Sequence, residues 1–342
     1  MSVKNASRSD LSRLDGASVL VTGGTGLIGR QVTRLLAGSG AAVTTVSLDQ
    51  IEIEGATSHR IGDLTDFDFC MEVTKGVDFV FHLAGIKGSL EVTKSRPASF
   101  LVPMLRFNTN LLEAARRNGV KHLVYTSSIG AYSSAEVFVE GEGFEGDPMD
   151  TFPGWAKRMA ELQIQAYQKE FDVNWGIVRP CNVYGPGDNF DPQNAMVIPS
   201  LLMKIRRGDE PVVVWGDGSA IRDFAYSADI AEGIVAAAIR GTRGSFVNLA
   251  SGKGHSVREL VETLQGFIEF DAEFDHSKHA GFPRRVMDIS RAREWLEYEP
   301  KTSLREGLEH TWNWFINNED EYLKRHNYFV STDTGDSRQV RS

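Results

Sequence analysis

Short apolar runs alternate with longer amphipathic segments from Ala17 to about Arg179. Each run has the length of one buried strand, and each segment between two runs repeats its apolar positions with the period of a helix. This alternation is typical of repeated strand–helix–strand units, which build a parallel sheet. We therefore expect a doubly wound, Rossmann-type α/β sheet with helices on both faces. Its six predicted strands are SVLVTG, AVTTVSLD, HRIGD, DFVFHLAG, KHLVYTSS and VNWGIVRP.

Two of the helical segments end in glycine, which suits a helix C-terminus. They are LIGRQVTRLLAGSG and SFLVPMLRFNTNLLEAARRNG. Pro103 lies within the second segment, and a proline inside a helix removes a hydrogen bond and clashes with the preceding turn. It predicts an early kink or a late start for that helix.

After Pro180 the chain becomes rich in Gly, Pro, Asn and Asp, and helices are predicted near 198–207, 227–240, 257–267 and 304–317. We expect a first domain over 17–180 and a smaller mixed lobe over 181–317, of which some segments return to the sheet. Residues 1–16 and 318–342 are polar, and we expect flexible termini there.

The formal net charge of -9 disfavours nucleic acid and anionic membranes as partners, because both need a basic surface. The longest apolar stretches, 77–85 and 120–125, are too short to cross a bilayer. No apolar signal segment precedes the first strand, so a cytoplasmic protein is expected. The two cysteines, Cys70 and Cys181, form no cluster with histidine, so we expect no metal site.

Glycine recurs with GxxGxxG spacing between the first predicted strand and its helix, at Gly23, Gly26 and Gly29. Glycine allows a tight turn and a close approach of backbone to a pyrophosphate, which the free N–H groups of a helix N-terminus bind. A structural turn without a ligand is the alternative. Asp49, at the end of the second strand, is placed to accept hydrogen bonds from an adenosine ribose, and its charge favours NAD over NADP. Its alternative role is to cap a turn.

Six motifs occur in a characteristic order: TGGTGLIG, GDLTD, HLAGIK, TSSIGAY, RPCNVYGPG and GDGSAIRDF. In this the chain resembles the extended short-chain dehydrogenases/reductases of the NAD-dependent nucleotide-sugar epimerase/dehydratase family, over about 18–314. The resemblance implies NAD as cofactor and a nucleotide sugar as substrate. It also implies these cofactor-binding residues besides Asp49: Gly23, Gly26, Leu27, Ile28, Gly29, Asp63, Leu64, Leu83, Ala84, Gly85, Lys87, Thr126, Lys157, Pro180 and Val183.

Enzymes of this family use a Ser or Thr together with a Tyr and a Lys in a YxxxK pattern. The resemblance assigns Ser128 and Lys157 to two of these roles, but Pro153 stands where the tyrosine is expected. Proline suits a first helical turn, so the helix itself is expected to be intact. Loss of a general base typically slows a reaction by about 100- to 10,000-fold.

Three accounts of the missing base remain open. Tyr132, on the loop after the fifth strand, is the candidate replacement, assisted by Ser128 and Lys157. Alternatively, water or Lys157 itself acts as a slower base. The third account is a catalytically weak or inactive protein that binds NAD and a nucleotide sugar in a regulatory or scaffold role.

The resemblance implies that Asn182, Arg222 and Arg285 bind the substrate, and an arginine fork can donate two hydrogen bonds to a phosphate. Dehydratases of the family have an Asp-Glu pair after the catalytic Ser or Thr, and the fucose-synthase-like and 3,5-epimerase branches have a cysteine at the position after that serine. Here Ile129-Gly130 follows Ser128, which is typical of neither group. We therefore expect oxidation at C4, as a 4-dehydrogenase or a 4-epimerase. The segment NAMVIPSLLMKI is similar to the branch that handles GDP-linked hexoses and heptoses, with a role in polysaccharide biosynthesis. The helices near 107–117 and 155–167 correspond to those that form a homodimer interface in similar enzymes.

Overall fold

The computed structural model describes residues 11–88, 90–192, 194–278, 281–319 and 321. Fourteen strands lie in these ranges, which we number in chain order. They are β1 (Ser18–Thr22), β2 (Ala42–Ser47), β3 (Ser58–Ile61), β4 (Phe79–His82), β5 (His122–Thr126), β6 (Val137–Phe138), β7 (Asn174–Pro180), β8 (Asn182–Tyr184), β9 (Val212–Trp215), β10 (Ile221–Tyr226), β11 (Phe246–Leu249), β12 (Gly254–Ser256), β13 (Ala272–Asp275) and β14 (Arg284–Met287).

The same ranges contain ten α-helices and two 3₁₀ turns, Ile129–Ala131 and Glu140–Glu142. The helices are α1 (Leu27–Ala37), α2 (Phe67–Val73), α3 (Leu90–Ser95), α4 (Pro97–Arg117), α5 (Thr151–Glu170), α6 (Val197–Arg207), α7 (Ser227–Arg240), α8 (Val257–Gln265), α9 (Ser290–Leu296) and α10 (Leu304–Asn317).

Seven parallel strands form the large sheet, in the order β11-β7-β5-β4-β1-β2-β3. The chain leaves β1 towards β2 on one side and returns to β4 on the other. In a doubly wound sheet the crevice between such strands, at their carboxyl ends, is where a ligand binds. The predicted Rossmann-type architecture is confirmed.

A second, smaller group of strands lies in the order β12-β10-β14-β6, with β8 also paired to β10. It belongs to a lobe with its own apolar core, which includes Phe190, Leu202, Phe224, Leu260 and Phe315. Strand β11 comes from this half of the chain but extends the large sheet beside β7. The large sheet therefore has seven strands and not the six predicted.

The structure corrects two expectations about element ends. The helix that contains Pro103 begins at Pro97, so a late start after Pro103 is wrong. The predicted flexible N-terminus is wrong for residues 11–16, because Leu14 is fully buried in the core and Leu11 packs against it. At the other end, Glu321 forms an ion pair with Arg30. The rest of the predicted flexible termini, residues 1–10 and 322–342, lies outside the described residues.

Candidate active site

The turn between β1 and α1 leaves no room for a side chain at Gly23 or Gly29. Gly23 has a φ of +67°, and a Cβ there would lie 2.9 Å from the backbone of Ala84. A Cβ on Gly29 would lie 2.1 Å from the carbonyl oxygen of Gly23. Gly26 is the N-cap of α1, and no side chain caps that helix end. The backbone at Leu27 and Ile28 therefore fits a pyrophosphate, which helix N-termini bind.

A buried hydrogen-bonded chain holds the loop after β4 beside this turn. The hydroxyl oxygen of Thr22 accepts from the backbone N–H groups of Leu83 and Ala84, each at 3.2 Å. It lies 2.8 Å from Nδ1 of His82, whose Nε2 lies 2.9 Å from Oδ1 of Asn108. Burial lowers the pKa of His82 to about 3, so the ring is neutral. The sequence did not single out Thr22 or Asn108 in this role.

The adenosine end of the predicted site lies at the neighbouring strand ends. Asp49 lies two residues beyond the end of β2, and its Oδ2 accepts a hydrogen bond from the hydroxyl of Thr25 at 2.7 Å. Oδ1 of Asp63 accepts from the backbone N–H of Thr65 at 2.8 Å, while Leu64 is buried. Since β2 and β3 are adjacent, the structure brings these predicted residues to one edge of the sheet.

Lys87 lies apart from that edge. Its Nζ is 3.4 Å from Oδ1 of Asp188, a buried carboxylate that belongs to the C-terminal half of the chain. Lys87 therefore links the loop after β4 to the second lobe.

Lys157 points towards the loop after β4. Its Nζ donates to the carbonyl oxygen of Thr126 at 2.7 Å and lies 5.0 Å from the ring centre of Tyr125. A Cβ on Gly85 would lie 3.5 Å from the same Nζ. Burial lowers the pKa of Lys157 to about 8, although the carboxylate of Glu161 opposes this. The ammonium is therefore held where the cofactor loop and the end of β5 meet.

Ser128 follows the same strand end. Its Oγ accepts from the backbone N–H of Gly130 at 3.0 Å, which makes Ser128 the N-cap of the 3₁₀ turn. That bond uses a lone pair and leaves the hydroxyl proton able to be donated. Pro180 is buried at the end of β7, and Val183 is half-buried in β8.

Two arginines from the second lobe lie side by side. Arg222 of β10 and Arg285 of β14 are register partners in a parallel pair. Burial and the neighbouring charge of Arg285 lower the pKa of Arg222 to about 10. The Arg285 guanidinium packs on the ring of Phe282 at 4.3 Å, and its buried Nε has no hydrogen-bond partner among the described residues. Two half-buried cations this close together suit a phosphate-bearing ligand. Asn182 lies on the adjacent β8 and donates to the carbonyl oxygen of Asp223 at 3.1 Å.

Comparison with known proteins shows which family the chain belongs to. The model of the NAD dependent epimerase/dehydratase family matches residues 19–250. The chain belongs to the NAD-dependent epimerase/dehydratase family. The expected resemblance, the enzyme class and NAD as cofactor are thereby confirmed, and the glycine turn and Asp49 fit that cofactor.

Relatives of known name cover nearly the whole chain. A dTDP-4-dehydro-6-deoxy-D-allose reductase from a Streptomyces species is 32% identical over 320 residues, which are 89% of this chain and 97% of the relative. GDP-L-fucose synthase 1 of Arabidopsis thaliana is 32% identical over 317 residues, 88% of this chain and 94% of the relative. An epimerase structure from Methanothermobacter thermautotrophicus has a TM-score of 0.83 at 28% identity, and covers 93% of this chain and 97% of its own.

The structure does not support Tyr132 as the base of this family member. The side chain is 2% exposed, and its hydroxyl donates to Oδ1 of Asn248 at 2.8 Å in the core. Its ring packs on Phe138 and Phe246, and burial raises the phenol pKa well above its usual range, an effect that the Arg179 charge opposes. Tyr132 therefore stabilises the packing between the 3₁₀ turn and the C-terminal half of the chain.

Pro153 lies in the first turn of α5, as expected from its tolerance at a helix start. That helix start packs directly on the 3₁₀ turn, since a Cβ on Gly154 would lie 2.5 Å from the carbonyl oxygen of Gly130. Asp150 also lies at this helix start, and the sequence did not predict it as a residue of the site. It stands at the N-cap of α5 but makes no capping hydrogen bond, and its carboxyl lies against Gly130. An aspartate before a helix is normally interpreted as a cap, which is why sequence reasoning missed it.

Among the residues described, no helix is both long and apolar enough to span a membrane.

Proposed function

We propose that the chain catalyses hydride transfer between NAD and C4 of a nucleotide-linked hexose or heptose, in the direction of oxidation. It would act as a 4-dehydrogenase or a 4-epimerase. The observation that carries the proposal is the pairing of two sites: Lys157 against the cofactor loop at Gly85, and the half-buried Arg222–Arg285 pair in the second lobe. The first serves a nicotinamide cofactor, and the second serves a diphosphate.

The roles divide between the two halves of the chain. We infer that residues 17–180 hold the cofactor and that residues 181–317 hold the nucleotide sugar. Ser128 would donate a hydrogen bond to the C4 oxygen. Lys157 would hold the nicotinamide ribose, and the bound NAD supplies the hydride chemistry. Asn182, on β8 beside β10, would bind the sugar or its diphosphate.

For the nucleotide we propose GDP, on the similarity of NAMVIPSLLMKI to the GDP-sugar branch. The relative named as a GDP-L-fucose synthase supports this base. The other named relative acts on a dTDP-linked sugar, so dTDP is the alternative that the experiment must test.

A second candidate is the reverse reaction, reduction of a 4-dehydro sugar. The name of the Streptomyces relative, a reductase of a 4-dehydro sugar, favours it. The same residues would serve, with a group near Ser128 giving a proton to the C4 oxygen and not taking one.

The deciding experiment mixes NAD-loaded protein with GDP-, dTDP- and UDP-hexoses while absorbance at 340 nm is recorded and products are weighed. We expect a GDP-hexose to raise the 340 nm signal and to give an isomer or a product two mass units lighter. The NADH-loaded protein, mixed with 4-dehydro sugars, tests the second candidate by loss of the same signal. If no sugar changes the signal while NAD and GDP still bind, the chain is a binding protein and the proposal is wrong.

We also propose a homodimer through α4 and α5. The two helices pack together through a hydrogen bond of 3.0 Å between Gln163 and Thr109. They nevertheless leave apolar side chains in water: Val102 is 51% exposed and Leu162 is 44% exposed. Exposed apolar residues on one pair of helices suit contact with a second copy.

A further inference from the structure

The missing tyrosine leaves a gap on one face of α5. Pro153 and Lys157 are four residues apart on α5, a spacing that places helical residues on the same face, and Asp150 stands at the N-cap just before this helix. Lys157 occupies the end of this face nearest the cofactor loop, where its Nζ would lie 3.5 Å from a Cβ on Gly85. Pro153 has no group that can accept a proton. The N-cap residue Asp150, three positions earlier, has a carboxyl group that can accept one.

The carboxyl of Asp150 is directed at the turn that begins with Ser128. A Cβ built on Gly130 would lie 2.0 Å from Oδ2 of Asp150, so the carboxyl occupies the space of a side chain at position 130. Gly130 itself donates its N–H to Oγ of Ser128. The carboxyl therefore lies against the turn whose first residue carries the hydroxyl that is proposed to bind the C4 oxygen.

This carboxyl has no structural bond to maintain. Among the described residues it makes no hydrogen bond and no ion pair, although it stands at a helix N-cap, where an aspartate usually accepts hydrogen bonds from the backbone N–H groups of the first turn. The next residue, Thr151, has a φ of +42°, which a β-branched residue rarely adopts. The chain thus turns Asp150 away from its own helix and towards Gly130.

We propose that Asp150 is the general base of the reaction and takes the place of the tyrosine absent at Pro153. This inference rests on the proposed function. In the oxidation, the Asp150 carboxylate accepts the proton of the C4 hydroxyl and becomes a carboxylic acid. With NAD⁺ bound, the hydride of C4 would pass to it and give NADH, so that the C4–OH group becomes C=O. The reverse step returns the same proton and hydride.

The surroundings of Asp150 fit this task. Burial raises the pKa of its carboxyl, and the charge of Arg285 on β14 partly opposes the rise. Burial and Arg285 are the two influences that act on this pKa, and Arg222 is the register partner of Arg285 on β10. When a diphosphate pairs with Arg285, less of its positive charge acts on Asp150. The carboxylate then becomes a stronger proton acceptor as substrate binds.

The test is the Asp150→Asn variant, with Asp147→Asn as the matched control on the same loop. Asp147 is exposed. Single-turnover reduction of bound NAD by the hexose that the wild type accepts is followed at 340 nm, and NAD and GDP affinities are measured by calorimetry. We expect Asp150→Asn to slow hydride transfer by about 100- to 10,000-fold with both affinities unchanged. Asp147→Asn should match the wild type.

Added formate gives a readout that a structural role would not move. In Asp150→Ala, formate can enter the space of the lost carboxyl and accept the proton, so we expect its addition to raise the rate at least tenfold. Transfer within threefold of wild type in Asp150→Asn would overturn the inference, and so would a loss of GDP or NAD affinity or the absence of any formate effect. If the wild type itself transfers no hydride from any sugar, the proposed function fails first, which separates the two failures.

Discussion

At the scale of single residues, Asp150 links the proposed chemistry to the stability of the fold. Burial makes its carboxylate less favourable in the folded chain than in water, so its folded pKa is raised. In the unfolded chain an aspartate has a pKa of about 3.9. The folded chain therefore binds the proton more tightly, and its contribution to stability is lost as pH rises through the folded pKa. Ionisation of Asp150 at neutral pH works against folding.

The Asp150→Asn variant should for this reason melt at a higher temperature than the wild type at pH 7. The difference should shrink towards zero below about pH 3, where the wild-type carboxyl is largely protonated in both states. Calorimetric or spectroscopic melts at several pH values measure it, with Asp147→Asn as the exposed control. A lower melting temperature for Asp150→Asn at pH 7 would mean that the carboxylate holds the fold together and is not poised for proton transfer.

At the scale of elements, a fully buried ion pair joins α5 to β7. Arg179 donates from Nε and Nη2 to the two carboxylate oxygens of Glu161, at 2.8 and 2.6 Å, and both side chains are 0% exposed. A third bond reaches the carbonyl oxygen of Gly143 at 2.9 Å, and the guanidinium stacks on Phe246. This pair fixes the helix that carries Lys157 against the strand that leads to Pro180.

Glu161→Gln should destabilise the fold by about 3–5 kcal/mol, because it leaves the Arg179 charge buried without its partner. Urea unfolding of the ligand-free protein gives the free energy of unfolding. The double variant Glu161→Leu with Arg179→Met removes both charges and should recover most of the loss. A single variant as stable as the wild type would show that water or another group neutralises Arg179.

Local patterns predicted the elements of the large sheet, but contacts between distant elements decided the rest. Strands β1 to β5, β7 and the glycine turn follow from periodicity and spacing within a few residues. Strand β11 was missed because it is a run of four residues whose partner β7 lies far away in the chain. The orientation of Tyr132 depends on Asn248 and Phe246, and that of Asp150 on Gly130, so neither follows from its own neighbours.

At the scale of the whole molecule, the exposed apolar residues of α4 and α5 mark the proposed dimer face. Leu162→Glu places a charge in the middle of that face and should convert a dimer into a monomer. Analytical ultracentrifugation of the ligand-free protein measures the change. Val213→Glu is the control, because Val213 is 36% exposed but lies on β9 in the second lobe. A wild type that sediments as a monomer, or a dimer that survives Leu162→Glu, would contradict the proposed interface.

Strand β11 has a consequence for the order in which the molecule can be completed during synthesis. The large sheet ends at β11, whose last residue is Leu249, although the preceding strand in that sheet ends at Pro180. Until a nascent chain has released residue 249, the outer side of β7 has unpaired N–H and C=O groups along its edge. The cofactor half therefore cannot close its sheet before about the first half of residues 181–317 has emerged from the ribosome. If a ribosome stalls after releasing Pro180 and before releasing Leu249, the edge of β7 stays unpaired. An unpaired strand edge can pair with a strand of another chain, so this edge is where such a nascent chain would aggregate.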